Sequence, residues 1–529
     1  MPTVLIADKL PQECVDILEQ AGLNVVNKPG LAPEELKEAL KGVDGVIVRS
    51  GVKLTADILE SAQGLKAACR AGVGVDNIDV PCASKLGVVV MNTPGANTIS
   101  TAEHTIALML ALSRNVGPAY VSMRAGKWDR KKFVGAELAG TTLGIVGVGR
   151  VGRAVATRAV AFGMKVVAHD PYIAREAAGK LGIQVVDSLK DLLDVSDYVT
   201  VHVPGGEDTK GMIGREEVAL MKSTARLINC ARGNIVDHQA VVDAVKDGKL
   251  AGAAFDVYET EPPQDFDFCL HDKILATPHL GASTEAAQIA VGTQAAEQMV
   301  GALLRQEYQN ALNIEAVSPE EMSVLAPYCN LAYRLGQAAG MLNRGRLRAV
   351  EVRCEGAVGE HNVAPVVDHG VLGVLVAVLG STVNIVSAPH LARERGLRVA
   401  GTTSTDQKDG FTDLVTLKLS TDAGALEVTG TVIGGAHVRM VKVGAFEADV
   451  IPEGHLLLVF GQDKPGLIGS IGEVLGNAGV NIARMTFGRA QAGGECLLAL
   501  NLDNACGEDA LKAIRSLALV ERAVPVTLR

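Results

Sequence analysis

The run TLGIVGVGRVGRAVA, residues 142–156, constrains the fold more than any other segment of this chain. An apolar stretch with strand character leads into Gly147, Gly149 and Gly152 at G-x-G-x-x-G spacing, and a helical pattern follows. That order predicts a buried parallel strand turning tightly into a helix whose N-terminus faces an anion. Gly147 permits the turn, Gly149 lets the backbone approach a pyrophosphate, and Gly152 lets helix and strand pack closely. The next strand ends VVAHD and places Asp170 18 residues beyond Gly152. A carboxylate there accepts hydrogen bonds from ribose hydroxyls and repels a 2′-phosphate, so the expected cofactor is NAD rather than NADP.

The rest of the chain extends this pattern. Residues 4–8, 12–21, 23–26, 33–41 and 45–48 read β-α-β-α-β, and the alternation continues to about Asn92. A long helix is expected over 98–114. Alternation restarts at Thr141, with strands near 197–201, 225–229 and 251–255, a last strand ILATPH, and a helical run over 284–306. The expected fold class is α/β: two doubly wound, Rossmann-like parallel-sheet domains with a cleft between them. The first comprises 1–97 and 284–315, and the second 98–283. Residues 307–322 read as a linker. An α+β intervening domain is expected over 316–451. From 452 to 529 the order β-α-β-β-α-β predicts a ferredoxin-like domain.

Composition excludes several roles. The net charge is −10 and the pI about 5.7, so no nucleic-acid partner is expected. Any anionic substrate then needs a local basic pocket. The most apolar late stretch, Val371–Leu379, is too short to cross a bilayer, and MPTVLIADKL does not read as a signal peptide. Nine cysteines at irregular spacing, without C-x-x-C, read as reduced thiols of a cytoplasmic protein, and no metal site is expected.

Three segments sit just past predicted strand ends, where open α/β sheets bind ligands. These are LINCARGNIVD with Arg232, AAFDVYETEPP with Glu261, and ATPHLGAST with His279. Together they suit oxidation of a 2-hydroxy acid. A histidine takes the hydroxyl proton, a carboxylate fixes its tautomer, and an arginine holds the substrate carboxylate.

With VRSGVKLT (48–55), RAGVGVDNID (70–79), VMNTPGANTIS (90–100) and GKWDRKKF (126–133), these segments resemble the D-isomer-specific 2-hydroxyacid dehydrogenases. The resemblance covers the whole length and runs to the long forms of that family. It implies Arg232 as substrate-orienting residue, Glu261 as support for the histidine, and His279 as acid/base. It implies cofactor contacts at Val73, Arg150, Val151, Asp170, Val203, Cys230, Ala231, Asp256, Leu280, Gly281 and Ala282. The Val73–Gly74 backbone and Asn97 match the substrate-side wall.

Arg49 and Arg70 each follow a predicted strand, and Arg130 opens the run RKK. Such basic residues suit a phosphate. Together with them, the resemblance implies NAD-dependent oxidation of 3-phosphoglycerate to 3-phosphohydroxypyruvate, the first step of phosphorylated serine synthesis. A glyoxylate or hydroxypyruvate reductase and an NAD-sensing corepressor-like protein are the alternatives. GQDKPGLIGSIGEVLGNAGVNIARM (461–485) resembles the start of an ACT regulatory domain, with Asp463 and Asn481 matching its amino-acid site. Gly461 departs from serine-sensing members, which carry a larger side chain there, so serine inhibition does not follow from the resemblance. Such domains usually pair, so a homodimer or homotetramer is expected.

Overall fold

A computed structural model describes residues 1–528 except 316, 381, 408 and 409. Two sheets carry the N-terminal half. A five-stranded sheet has the order Asn24–Asn27, Thr3–Ile6, Gly45–Val48, Ala67–Arg70, Val89–Asn92. A seven-stranded sheet has the order Ile274–Ala276, Gly252–Phe255, Arg226–Asn229, Tyr198–Val201, Thr142–Val146, Lys165–His169, Ile183–Val185, with every pairing parallel. The central strands of this second sheet are buried on both faces and read as continuous apolar runs. From Thr142–Val146 the chain winds first one way and then the other. The reversal therefore lies between that strand and Tyr198–Val201, where such sheets open a crevice.

The chain forms two compact units. One comprises Met1–Lys53, Cys69–Asn77 and Asn92–Arg305; the other comprises Leu54–Ala68, Ile78–Met91 and Gln306–Arg529. Ile78–Met91 is held within the second unit by contacts that were not legible in the sequence. Asn313 donates to Ser84 Oγ and Val88 O at 3.0 and 2.9 Å and accepts from Val90 N at 2.9 Å, while Asn384 Nδ2 donates to Gly87 O at 2.8 Å.

In the second unit, a six-stranded mixed sheet (residues 347–450) packs against the helices Pro319–Leu342 and Ala364–Leu379 around one apolar core. A four-stranded antiparallel sheet has the order Ile482–Arg489, Glu495–Leu502, Gly454–Gln462, Val520–Leu528, with helices Leu467–Asn477 and Glu508–Arg515. Its element order is the expected β-α-β-β-α-β. Among the described residues, no helix is long and apolar enough to cross a membrane.

Candidate active site

The glycine loop has the local backbone geometry its spacing predicts. Gly147 has φ +91°, and a Cβ there would lie 2.8 Å from Val203 Cγ1 and 2.9 Å from the His202 carbonyl carbon. Gly152 lies in the helix Arg150–Ala161, and a Cβ on it would overlap Gly147 O. A Cβ on Gly149 would meet nothing within 4 Å, so the backbone at the helix N-terminus stands open to a ligand. Asp170 Oδ2 accepts from Val148 N at 2.7 Å and Oδ1 from Tyr172 N at 2.8 Å, which ties the carboxylate to the loop. Arg150 is exposed and Val151 half-buried on the first helical turn. This set fits a dinucleotide.

Val203 lies against the Gly147 turn. Cys230 is buried, and burial pushes its thiol up to about 12, so it is a neutral packing group. Neither residue carries a signal in the sequence that would separate it from the core.

Glu261 and His279 meet directly: His279 Nδ1 and Glu261 Oε2 are 2.7 Å apart. Glu261 Oε1 accepts from Tyr258 N at 3.1 Å. Partial burial works against the Glu261 carboxylate, but the His279 hydrogen bond and charge outweigh it and hold its pKa below the usual range. His279 has φ +55°, a left-handed conformation that a histidine rarely adopts.

Asp256 holds the loop that follows. It is fully buried, and its two oxygens accept from Leu280 N at 2.7 Å and Gly281 N at 2.8 Å. His104 Nε2 (3.2 Å) and Thr277 Oγ1 (2.6 Å) complete its shell. Burial alone would raise its pKa; the bonds from His104, Thr277 and Leu280 hold it low instead. Gly281 O in turn accepts from Ser100 Oγ at 2.8 Å. His104 and Thr277 were not singled out in the sequence. His104 lies on the helix Thr98–Ser113, 152 residues from Asp256, and no local motif marks it. Leu280 and Ala282 remain partly accessible on the braced loop.

Arg232 follows the strand Arg226–Asn229. Buried Asn229 fixes its loop, donating to Arg232 O at 2.9 Å and accepting from Ala231 N at 3.0 Å. Arg232 Nε pairs with Asp76 Oδ2 at 3.2 Å. A Cβ on Gly74 would overlap the Arg232 guanidinium, so glycine is what lets Arg232 reach this wall. Asn92 Nδ2 donates to Val73 O at 2.5 Å and fixes the Val73–Gly74 backbone. Arg70 faces the same charge group. Burial, then the positive charge of Arg232, pushes its guanidinium down to about 10, with Arg49 adding to the effect. Arg70 Nε is buried without a hydrogen-bond partner, as is Asn97 Oδ1 at the start of the helix Thr98–Ser113.

The structure does not bring Arg130 to this group. Arg130 sits on the exposed 3-10 turn Arg130–Phe133, whose Lys132 pairs with Asp272 at 3.1 Å. Nor do Asp463 and Asn481 stand free. Asp463 Oδ2 accepts from Arg489 Nη1 at 3.1 Å and Gly493 N at 3.0 Å, and Asn481 Nδ2 donates to Asp503 Oδ2 at 2.7 Å. A larger residue at 461 would overlap Leu519 O, which explains the glycine there.

The sequence compares with known proteins along its entire length. Residues 106–281 match the family model for the NAD binding domain of D-isomer specific 2-hydroxyacid dehydrogenases. Residues 324–444 match the D-3-phosphoglycerate dehydrogenase intervening domain, and 455–519 match the ACT domain. D-3-phosphoglycerate dehydrogenase of Methanocaldococcus jannaschii is 39% identical over 528 residues, covering 100% of both chains. That of Bacillus subtilis is 37% identical over 525 residues, covering 99% of each. Among solved structures, an NAD+-bound 3-phosphoglycerate dehydrogenase of Entamoeba histolytica is 29% identical with a TM-score of 0.52, covering 60% of this chain and 99% of that one. The strand–glycine–helix unit, the His279–Glu261 pair and full-length identity to these relatives agree: the chain belongs to the D-3-phosphoglycerate dehydrogenases, within the D-isomer specific 2-hydroxyacid dehydrogenase family.

Proposed function

We propose that the chain oxidises 3-phosphoglycerate to 3-phosphohydroxypyruvate with NAD, the first step of the phosphorylated route to L-serine. The relatives' names support the substrate, and one observation in this chain carries it. Arg232 and Arg49 are both close enough to Arg70 to lower its proton affinity, and Arg70 Nε is buried without a hydrogen-bond partner among the described residues. Three cations gathered in a chain of net charge −10 suit a ligand with a phosphate at one end and a carboxylate at the other.

Gly147, Gly149, Gly152 and Asp170 would hold the cofactor's pyrophosphate and ribose, with Arg150, Val151, Val203, Cys230 and the 280–282 backbone around it. NAD, when bound, supplies the hydride acceptor. The chain's own residues supply the rest. Nδ1 of His279 is committed to Glu261, so Nε2 takes the proton from the C2 hydroxyl. Glu261 stays ionised and stabilises the imidazolium that forms. Arg232 exchanges its contact with Asp76 for the substrate carboxylate, and Arg70 and Arg49 take the phosphate. Asp256 acts through the backbone of residues 280 and 281 to set where His279 points. Initial rates on 3-phosphoglycerate, D-glycerate and D-lactate test the reading.

The reading includes a four-domain division: 1–97 with 284–315 for substrate, 98–283 for NAD, 316–451 intervening, and 452–529 ACT-like. The separate sheets support it. It also includes a cytoplasmic homodimer or homotetramer. The helix Val116–Arg124 and the turn after it leave Tyr120, Val121, Met123, Trp128 and Val134 exposed, an apolar surface that a second copy would cover. Light scattering on the purified protein measures this.

A further inference from the structure

The helix Pro319–Leu342 ends at Asn343, which closes a turn by donating to Gly345 O at 2.7 Å and accepting from Gly345 N at 3.0 Å. Arg344, within that turn, lines a cavity of about 300 Å³. The strand Val520–Leu528 brings Arg522 to the same cavity. Its Nη2 donates to Leu342 O at 2.7 Å, and its guanidinium lies 5.8 Å from the Phe460 ring centre. Burial and the charge of Arg344 lower the proton affinity of Arg522, so the two cations crowd one another. Leu419, Leu426 and Phe446 supply apolar wall.

Glu495 and Glu521 line the cavity too, and Glu521 Oε1 accepts from Gln462 Nε2 at 3.0 Å. Among the described residues, neither arginine has a carboxylate within ion-pair distance. Two cations and two anions thus surround one small, partly apolar space without neutralising each other. A ligand bearing both charges satisfies both sets; a simple anion would leave the carboxylates opposed.

We propose that this cavity binds a free α-amino acid, its carboxylate on Arg344 and Arg522, its ammonium toward Glu495 and Glu521, and a small side chain against Phe446 and Phe460. The volume lies at the small end of ligand pockets, which favours a small amino acid. Its walls come from the segment matching the intervening domain and from the strands of the ACT segment, so an occupant bridges the two. Asp463 and Asn481 take no part; their side chains serve other contacts.

Calorimetric titration of the full-length protein with glycine, L-alanine and L-serine tests this, with lactate and ethylamine as probes that lack one charge each. At least one amino acid should bind, and lactate and ethylamine should bind about tenfold more weakly or worse. Arg344→Glu, on an exposed residue, and Arg522→Met should each weaken binding about tenfold, with Arg344→Glu melting like the parent. Asn481→Ala should leave it unchanged. No amino-acid binding at millimolar concentration overturns the proposal. So does equal binding of lactate, or a loss that follows Asn481→Ala and not the arginine variants.

Discussion

His279 Nδ1 lies 2.7 Å from Glu261 Oε2, and the imidazole reaches that position from a backbone at φ +55°. The pairing supports the proposed division of labour within the ring. One nitrogen is held by the carboxylate, and Nε2 is left for the substrate. Glu261→Gln should therefore lower kcat about 100-fold, and His279→Ala by more. NAD affinity should stay within about twofold, because neither side chain belongs to the glycine loop. Steady-state kinetics with a fluorescence titration of NAD separates the two effects.

The Asp256 brace carries a pH signature. Its folded pKa is lowered, so its stabilising contribution is fully present above the unfolded value of about 4 and is lost as pH falls through the folded value. Asp256→Asn should cost about 1–3 kcal/mol at pH 7, since an amide places N–H against a backbone donor. That difference should shrink as pH falls below about 4, where the carboxyl of the parent's unfolded state takes up a proton, and further as the folded carboxyl does so at lower pH. Urea midpoints at pH 7 and in the acid range check it; a gap that stays constant would mean the charge of Asp256 contributes nothing.

The two later glycines of the loop should fail differently. Gly152→Ala meets Gly147 O and should lower the melting temperature by several degrees, through strain of about 1–3 kcal/mol. Gly149→Ala has open space around its Cβ, so the fold should be untouched. Its methyl instead occupies the approach to the pyrophosphate, and NAD should bind about tenfold more weakly or worse. Calorimetric melting and NAD titration on both variants read out the contrast.

What was legible in the sequence was local. The strand–glycine–helix order around Gly147 and the β-α-β-β-α-β order after residue 452 depend on residues near one another, and both are found in the expected order. Arg232, Glu261 and His279 were visible because each stands just past a strand end. The parts that position them were hidden because they depend on contacts across the fold. His104 reaches Asp256 from a helix 152 residues away, and Asp76 reaches Arg232 over 156. Arg130 was suggested by a basic run alone, and within its own chain it stands on the exposed turn Arg130–Phe133, where a neighbouring copy of the chain can also reach it.

The central claim is that a phosphorylated hydroxy acid is recognised by the arginine group around Arg70. The most direct measurement is kcat/KM for 3-phosphoglycerate against D-glycerate, in the parent and in Arg70→Gln, at saturating NAD. The account predicts a preference for the phosphorylated acid of about 100-fold or more, falling about tenfold or more in the variant through KM, with NAD binding unchanged. Turnover of D-glycerate equal to that of 3-phosphoglycerate in the parent, or a preference untouched by Arg70→Gln, would contradict it.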